Sequence, residues 1–383
     1  MKFAFCLFKY FPYGGLQRGF LQLARTCVSR GHQVDVYTGS WVGEKPEDIK
    51  VKTITNSGLT NHSRYRSFAR RLKPYICDGA YDAIVGFNKM PGLDVYFASD
   101  FCYAAKASEK SFLYRLTNRY RTLIKLEKSV FSQSSNTWII AISEYEKKQY
   151  KRHYGTPEKR FFMVPPGISK DRIAPPDASE IGAALRQEIG LARDEFIVLM
   201  VGSNYKIKGV DRAIHAIASL PASLSDKTRL VIVGRGKAGP YRRLAKRLGV
   251  LSRVIFIGER DDVPRFLLGA DLLLHPAYRE NTGTVLIEAM AAGLPVLATE
   301  SCGYSFHISR ANAGYLIPVP FLQYRLNELL LVMLTSENLK KWSLNGKNYV
   351  GRTDVYSRHA KAAEVIEAAA LIKNQAFSEN QGT

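Results

Sequence analysis

Two successive series of short apolar runs, glycine turns and helical patterns constrain the fold of this chain more than any other feature. In the first series, residues 2–8 are apolar, residues 16–29 have helical periodicity and residues 34–37 are apolar again, which predicts a βαβ unit. The crossover of such a unit is right-handed and its strands are parallel. The same alternation resumes after residue 195. The sequence therefore predicts an α/β fold of two doubly wound parallel sheets that face each other across a cleft.

A proline-rich stretch separates the two series. Val164-Pro165-Pro166-Gly167 and Pro175-Pro176-Asp177 are turn sequences, so a domain boundary is predicted after residue 167. Residues 323–373 have mainly helical patterns, and the polar tail from Asn374 is predicted to fray. Further strands are predicted at 83–87, 94–98, 137–142, 196–201, 229–233, 253–257, 271–275, 295–298 and 314–317, and helices of the second series at 209–219, 240–248, 262–269 and 284–292.

The composition excludes several classes of protein. With 383 residues, of which 46% are hydrophobic and 11% aromatic, the chain is neither collagen-like nor disordered. Its five cysteines are scattered without a C-x-x-C pair, which favours reduced thiols over a disulfide framework or a zinc site. No apolar run approaches the ~20 residues that span a bilayer. Lys9 interrupts the apolar start before any cleavage site for a signal peptide, so we expect a cytosolic protein.

The net charge is +21, and two thirds of this excess falls within residues 1–167. Such charge attracts nucleic acid, anionic lipid or a polyanionic substrate, and it does not choose among them. Residues 103–131 combine basic side chains with an apolar and aromatic stripe at helical spacing, which is typical of a helix that lies on a membrane surface. A surface helix packed on its own domain explains the same stripe.

A second basic run indicates either the mouth of a groove for an anionic substrate or a solvated helix face. It consists of Arg64, Arg66, Arg70, Arg71 and Lys73.

Two glycine-containing loops follow predicted strands, at the positions where open parallel sheets bind ligands. The loop with Gly14 and Gly15 joins the first strand to the first helix, so its backbone can approach an anion. Residues 201–209 carry Lys206 and Lys208 at another strand-to-helix turn, which suits a diphosphate. Neither loop has the spacing of a dinucleotide fingerprint or a Walker P-loop, and both patterns also occur in ordinary turns.

A third loop is more specific. Glu280 precedes a predicted helix that begins near Gly283, and Glu288 lies in the second turn of that helix. The free amides of residues 283–285 can receive phosphate oxygens. A carboxylate in the second turn can accept both hydroxyls of a ribose, and one in the loop can reach a sugar. His275, at the end of the preceding strand, is expected to pack or cap rather than to catalyse.

Glu280 and Glu288 reproduce the E-x7-E motif of the family 4 retaining glycosyltransferases, and residues 291–296 continue the motif as that family does. Residues 5–18 and 86–98 resemble the members of this family that act on the lipopolysaccharide core, and the likeness covers nearly the whole chain. The resemblance implies the GT-B fold, which consists of two Rossmann-like domains.

The same resemblance implies a role for each part of the chain and a reaction. Residues 1–167 would bind the acceptor and face the membrane, and residues 168–355 would bind the nucleotide sugar. Residues 356–373 would form a helix that crosses back to the first domain, and residues 374–383 would be a frayed tail. The implied reaction transfers glucose from UDP-glucose to L-glycero-D-manno-heptose of the lipid A–core precursor and retains the α configuration. The implied location is the cytoplasmic face of the inner membrane, where residues 103–131 would contact the anionic surface.

Residue roles are carried over from the family motif. Glu280 would lie beside the transferred sugar, and Asp100 stands where relatives place a sugar-contacting polar group. Lys208 and Arg172 would neutralise the diphosphate, and Glu288 would hold the ribose. Gly15 would approach the diphosphate and Arg260 would border the uracil. The other residues of the implied donor site are Lys206, Asn281, Thr282, Gly283, Thr284 and Val285.

Two positions depart from the family pattern. Gly19 stands where an acidic residue is expected, and Ile207 stands where an arginine is expected before Lys208. Lys206 can replace the missing charge, although a lysine does not reproduce a bidentate arginine. These departures bear on donor choice and on rate more than on the fold.

The sequence contains no D-x-D, the carboxylate pair that usually holds a divalent metal on the nucleotide, so transfer without a metal or another cofactor is predicted. No carboxylate is an obvious nucleophile, which favours front-face attack, with the leaving phosphate accepting the acceptor's proton. Two alternatives stay open. One is another enzyme of the same fold that uses N-acetylglucosamine, galactose or mannose, or that hydrolyses and epimerises a nucleotide sugar. The other is a basic nucleic-acid-binding protein, although no nucleic acid partner is expected.

Overall fold

The structure is a computed structural model of the chain, and it describes residues 1–12, 15–76, 81–192 and 194–381. The chain forms two units. The first unit consists of Met1–Pro165 together with the residues from Ser357 onward, and the second unit is Pro166–Tyr356. The division falls inside the proline-rich stretch, two residues before the predicted boundary.

The first unit contains a seven-stranded parallel sheet with the order β3-β2-β1-β4-β5-β6-β7. Its strands are β1 Lys2–Leu7, β2 Gln33–Thr38, β3 Lys50–Thr53, β4 Ala83–Gly86, β5 Val95–Ala98, β6 Trp138–Ala141 and β7 Phe161–Met163. Its helices up to residue 165 are α1 Gly15–Ser29, α2 Asn61–Ile76, α3 Tyr103–Ser108, α4 Asn118–Phe131 and α5 Glu144–Tyr154. β1 is buried along almost its whole length because it is a central strand with helices on both faces.

The second unit contains a six-stranded parallel sheet with the order β10-β9-β8-β11-β12-β13. Its strands are β8 Phe196–Val201, β9 Thr228–Val233, β10 Val254–Gly258, β11 Leu272–His275, β12 Val296–Thr299 and β13 Gly314–Ile317. Its helices are α6 Ala178–Glu188, α7 Tyr205–Lys208, α8 Val210–Ala218, α9 Ala222–Ser225, α10 Gly239–Arg247, α11 Val263–Gly269, α12 Thr284–Ala292, α13 Ser305–Ala311, α14 Gln323–Thr335 and α15 Leu339–Arg352. All six predicted strands and all four predicted helices of this series are confirmed.

The chain then returns to the first unit as helix α16, Arg358–Gln381. Ala362, Ala363 and Ile366 are fully buried and pack in the same hydrophobic core as Phe20 of α1. The predicted end of this helix at residue 373 is wrong, because Lys373 donates to Asp94 at 2.8 Å and Asn374 donates to Asp82 at 2.6 Å, which holds a polar stretch against the sheet. Residues 382–383 lie outside the described residues.

The segment 103–131 is not the single helix that its spacing predicts. It consists of α3, a 3₁₀ turn over Phe112–Leu116, and α4, whose first turn is capped by Thr117. The two ends of the apolar stripe have different surroundings. Val130 and Phe131 are fully buried in the first unit, whereas Phe112 and Leu113 are more than 70% exposed. No helix in the described ranges is long and apolar enough to cross a membrane.

Candidate active site

The strand order of the second sheet reverses between β8 and β11, which are neighbours at its centre. Open α/β sheets bind ligands at such a reversal, because the loops after the two strands lead to opposite sides and leave a crevice. The loop after β8 leads into α7, which ends at Lys208, and the loop after β11 carries Glu280. The topology therefore brings together two residues that are 72 positions apart in the chain.

Glu280 lies between two basic side chains. It accepts a hydrogen bond from Lys208 Nζ, and both side chains of this ion pair are largely buried. His275 Nε2 lies 3.3 Å from the same Glu280 oxygen, and the imidazole is 1% exposed. Burial by itself raises the pKa of Glu280, but Lys208 and His275 outweigh burial and hold that pKa at about 2. Burial lowers the pKa of His275. The group is thus a carboxylate between a lysine and a neutral imidazole.

Two glycines allow Lys208 to reach Glu280. Gly202 has a φ of +144°, and a Cβ atom at this position would lie 2.7 Å from Lys208 Cε. Gly209 has a φ of +74°, and a Cβ atom there would overlap the carbonyl oxygen of Pro276, which begins the loop that carries Glu280. A side chain at position 202 would therefore displace Lys208, and one at position 209 would displace the start of the loop that carries Glu280.

Arg172 and Glu288 form a second charged group in this unit. Arg172 Nε lies 3.9 Å from Glu288 Oε1 and 3.5 Å from Asp171 Oδ1. These distances are too long for hydrogen bonds, and the buried Nε and Nη1 atoms of Arg172 have no hydrogen-bond partner among the described residues. Buried guanidinium donors of this kind are costly unless an anion receives them. Arg172 therefore fits the diphosphate role that the resemblance implies.

The amino end of α12 is the third component. Gly283 precedes α12 in a left-handed conformation, with a φ of +76°, and has no side chain that could cap the helix. The amides of Thr284 and Val285 are thereby left at a helix amino terminus, which attracts anions. Thr282 accepts a backbone hydrogen bond from Tyr304 at 2.8 Å, so the loop before the helix is fixed from its other side. Asn281, in the same loop, is 8% exposed.

Lys206 and Arg260, two further residues of the predicted donor site, differ in their surroundings. Lys206 lies in α7 and is exposed, without an ion-pair partner in the part of the chain that the structure describes. Arg260 follows β10 and binds both carboxylate oxygens of Asp262 at 2.7 Å and Glu188 at 3.1 Å. These carboxylates raise the pKa of Arg260, first through the hydrogen bond to Asp262. No contact joins Arg260 to Glu280 within the described residues, so its role beside the uracil stays a prediction.

The first unit contributes Gly15 and Asp100 to the predicted site. Gly15 is the first residue of α1, and a Cβ atom there would meet no atom within 4 Å. Gly14 lies outside the described residues. Asp100 follows β5, and Asn88 donates to it at 3.5 Å. Burial raises the pKa of Asp100, while Lys89 opposes the shift. The roles given to Gly15 and Asp100 stay predictions.

A buried ion pair beside Asp100 was missed by sequence reasoning. Lys89 Nζ donates to Glu127 Oε2 and to the carbonyl oxygen of Phe101, both at 2.6 Å. Glu127 is fully buried and also accepts from the amides of Tyr103 and Ala104 and from the hydroxyl of Tyr154. The signal that could have found the pair is Glu127 itself, one of two acids in a strongly basic segment.

The four cysteines that the structure describes are unpaired thiols. Cys6, Cys27, Cys102 and Cys302 are free and buried, and Cys77 lies outside the described residues. In the described ranges, no group of three or more His, Cys, Asp or Glu side chains is arranged to hold a metal ion.

Comparison with known proteins assigns the family. Residues 13–172 match the family model of glycosyltransferase family 4, and residues 183–349 match that of glycosyl transferases group 1. The lipopolysaccharide glucosyltransferase WaaG of Escherichia coli K12 is 45% identical over 368 residues, which cover 96% of this chain and 98% of the relative. The chain is a family 4 glycosyltransferase.

Solved structures agree with this assignment. The crystal structure of WaaG, a glycosyltransferase involved in lipopolysaccharide biosynthesis, matches with a TM-score of 0.88 at 45% identity and covers 95% of this chain and 99% of that one. The Anabaena protein HepE, solved with UDP and glucose, matches with a TM-score of 0.73 at 20% identity over 96% of this chain and 100% of that one. The second likeness supports the fold alone. The predicted GT-B fold and the resemblance to family 4 are therefore confirmed.

In a family 4 glycosyltransferase, the arrangement on the second unit suits the binding of an anionic leaving group. Arg172 and the amino end of α12 offer donors to an anion, while Lys208 supplies positive charge close to Glu280. His275 is buried, which agrees with the packing role expected of it, and its ring contacts Glu280. Its contact with Glu280 could have been suspected from its place at the end of the strand before the E-x7-E loop.

Proposed function

We propose that this glycosyltransferase moves glucose from UDP-glucose to the inner-core heptose of the lipid A–core precursor in lipopolysaccharide core biosynthesis. The observation that carries the proposal is the likeness to the Escherichia coli lipopolysaccharide glucosyltransferase over nearly the full length of both chains. The charged groups on the second unit support the donor half, because they suit a sugar attached to a diphosphate.

The donor would be held by groups from three elements of the second unit, which are α7, α12 and the turn that carries Arg172. Glu288 would accept the ribose hydroxyls, and the Nε and Nη1 donors of Arg172 would turn to the diphosphate. The amides of Thr284 and Val285 would receive further phosphate oxygens. Lys208 and the exposed Lys206 would add positive charge, with Ile207 between them in place of the expected arginine.

We propose retention by front-face attack, without a metal or cofactor. The bond between the anomeric carbon and the phosphate oxygen breaks, and a bond to the acceptor oxygen forms on the same face. The acceptor's proton passes to the departing phosphate oxygen. Glu280 is paired with Lys208 and His275, so it is better suited to orienting the transferred sugar than to attacking it. Fixed cations lower the barrier because they stabilise the charge that develops on the diphosphate.

The function is tested by incubating the protein and EDTA with UDP-glucose, UDP-galactose, UDP-N-acetylglucosamine or GDP-mannose, with and without heptosylated lipid A core. We expect UDP release and a gain of one hexose in acceptor mass only with UDP-glucose and acceptor together. Turnover of another donor alone would overturn the donor assignment. A covalent glycosyl-enzyme adduct found by mass spectrometry would contradict front-face attack.

A variant pair links this activity to the site. Glu288→Gln should raise the KM for UDP-glucose about tenfold, since hydrogen bonds to a charged group contribute about 1.5–3 kcal/mol. Glu337→Gln is the matched control, because Glu337 is an exposed acid of the same unit without a contact to the site in the described residues. Equal KM values for the two variants would remove Glu288 from the donor site.

We also propose that the enzyme works at the cytoplasmic face of the inner membrane, bound peripherally through the segment 103–131. The exposed apolar side chains of the 3₁₀ turn support the idea, since Arg115 lies among them and Lys110 precedes them. Replacing Phe112 and Leu113 by serine should reduce cosedimentation with anionic vesicles. Serine at the exposed Leu331 and Leu344 of the second unit is the control, and an equal loss there would contradict the proposal.

A further inference from the structure

A groove on the first unit is lined by five basic side chains. Helices α2 and α4 pack against each other and enclose a cavity of about 560 Å³. The basic side chains point to it from both walls, at helical spacing on each. They are Arg66, Arg70 and Lys73 of α2 and Arg121 and Lys125 of α4. No acidic side chain is among the described residues that line the cavity.

These five cations are uncompensated. None of their side chains has a hydrogen-bond or ion-pair partner in the described part of the chain. Two neighbours on α2 differ from them: Arg64 donates to the carbonyl oxygen of Gly58 and Arg71 to that of Thr55, each at 2.8 Å. The repulsion among five like charges across a narrow groove is relieved when an anion enters it.

The floor of the groove is aliphatic. Ile76 of α2 and Leu126 of α4 are buried side chains of its lining, and Ala69 of α2 and Pro91, which lies between β4 and β5, also line it. Aromatic side chains, on which unpaired bases would stack, are not among the described lining residues. An occupant therefore needs an apolar part as well as negative charge.

A smaller polar cavity adjoins the groove. It has a volume of about 330 Å³ and shares Arg66 and Arg70 with the groove. Its remaining wall carries the hydroxyls of Ser57, Ser63 and Ser67. The two arginines thus stand between a compartment of hydroxyls and a compartment with an aliphatic floor.

We propose that the two cavities together bind the phosphorylated sugar of an acylated glycolipid, with the phosphate on Arg66 and Arg70. Arginine matches phosphate because its planar donors can form two parallel hydrogen bonds. The serine hydroxyls would contact the sugar, and the first carbons of an acyl chain would lie on the aliphatic floor. The occupant is the lipid portion of the acceptor, so this inference rests on the proposed function.

The test measures binding without turnover, in non-ionic detergent and without donor, by calorimetric titration. The probes are an acylated glucosamine disaccharide with a phosphate at each end, the same disaccharide without phosphates, and phosphatidylglycerol. The variants are Arg66→Gln with Arg70→Gln on one wall, and Arg121→Gln with Lys125→Gln on the other. The matched control, Lys148→Gln with Arg152→Gln, removes two exposed charges four residues apart on α5 of the same unit.

Arg66→Gln with Arg70→Gln should weaken binding of the phosphorylated disaccharide about tenfold or more, because it loses two charge-assisted contacts to the phosphate. Arg121→Gln with Lys125→Gln should also weaken this binding, because it removes two of the five positive charges that line the groove. The control should bind as the parent does, and the unphosphorylated disaccharide should bind weakly to all. Unchanged affinity in the groove variants, or an equal loss in the control, would overturn the inference. Tight binding of phosphatidylglycerol that is lost in the same variants would also overturn it, in favour of a bilayer phospholipid. Absence of glucose transfer by the parent chain would contradict the proposed function and leave this binding result standing.

Discussion

The ionisation of Glu280 depends on one lysine. Lys208 is the main group that opposes burial of the carboxylate and keeps the pKa of Glu280 at about 2. In Lys208→Met, burial and the loss of this charge both raise that pKa. We expect kcat for UDP-glucose to fall about a hundredfold or more. An acid limb should also appear in the pH profile of kcat, at higher pH than in the parent, since the carboxylate with its raised pKa then takes up a proton.

Lys206→Met is the comparison, because it removes the same charge from α7 without contact to Glu280. It should lower the rate without creating the acid limb. If the profiles of the two variants and the parent have the same shape, Lys208 does not set the ionisation of Glu280.

Gly19 of α1 lies beside a buried histidine of α16, His359. A Cβ atom there would lie 3.9 Å from Nε2 of His359, which is buried and has no hydrogen-bond partner in the described structure. Burial lowers the pKa of His359 to about 4. Gly19→Asp would supply the acidic residue that the family pattern expects and an acceptor for this ring. We expect the pKa of His359 to rise and the unfolding free energy to increase by about 1 kcal/mol.

The measurement is the NMR titration of His359, combined with urea unfolding. Gly19→Ala separates the two effects, because it gains only the helix propensity of alanine, about 0.5–1 kcal/mol. A His359 pKa that is the same in both variants would show that residue 19 does not reach the ring.

Among the secondary-structure elements, α12 depends on the glycine before it. Gly283→Ala places a side chain at a φ of +76°, 3.1 Å from Leu286 and 3.2 Å from Glu280. We expect a loss of about 1–2 kcal/mol in unfolding free energy from backbone strain, together with a higher KM for UDP-glucose. Gly249→Ala is the matched control, since its φ is +72° and a Cβ atom there meets nothing within 4 Å. Urea unfolding should show similar losses, and only the Gly283 variant should change KM.

The sequence predicts the elements of the second unit well for a physical reason. Its central strands are buried on both faces and are therefore continuous apolar runs, such as Phe196–Val201. The edge strand β3, Lys50–Thr53, alternates lysine with other residues, is largely exposed and was not predicted.

The break of the segment 103–131 was missed because periodicity does not register a cap such as Thr117, whose hydroxyl accepts from the amide of Tyr120. The Lys89–Glu127 ion pair joins positions 38 residues apart, so the local sequence can single out Glu127 but not its partner.

For the molecule as a whole, two buried histidines should make the free energy of unfolding depend on pH. Burial lowers the pKa of His307 in the second unit and of His359 in the first unit to about 4, with a neighbouring arginine adding to each shift. The histidines of the unfolded chain have pKa values near 6.5, so below that pH the unfolded chain binds more protons than the folded chain. The contribution of the two histidines to the free energy of unfolding is therefore fully present above about pH 7 and falls on acidification. Between pH 7 and pH 5 we expect each unit to lose about 2 kcal/mol through its histidine.

Urea unfolding of the parent at the two pH values measures this loss. His307→Gln and His359→Gln should each flatten the dependence, whatever their effect at pH 7. A pH dependence that survives both substitutions would assign it to the carboxylates instead.

The return of α16 to the first unit also has a consequence for the order of synthesis. Five buried side chains of α16 complete a core whose other buried members are translated before residue 165, and these five are Ala362, Ala363, Ile366, Ala369 and Ala370. A nascent chain that has emerged only as far as the proline-rich stretch therefore leaves the apolar face of α1 and the adjacent strands without their cover. Pro166–Tyr356 forms its own sheet without waiting for α16. The unit that is encoded first can therefore finish folding only after the unit that interrupts it has left the ribosome.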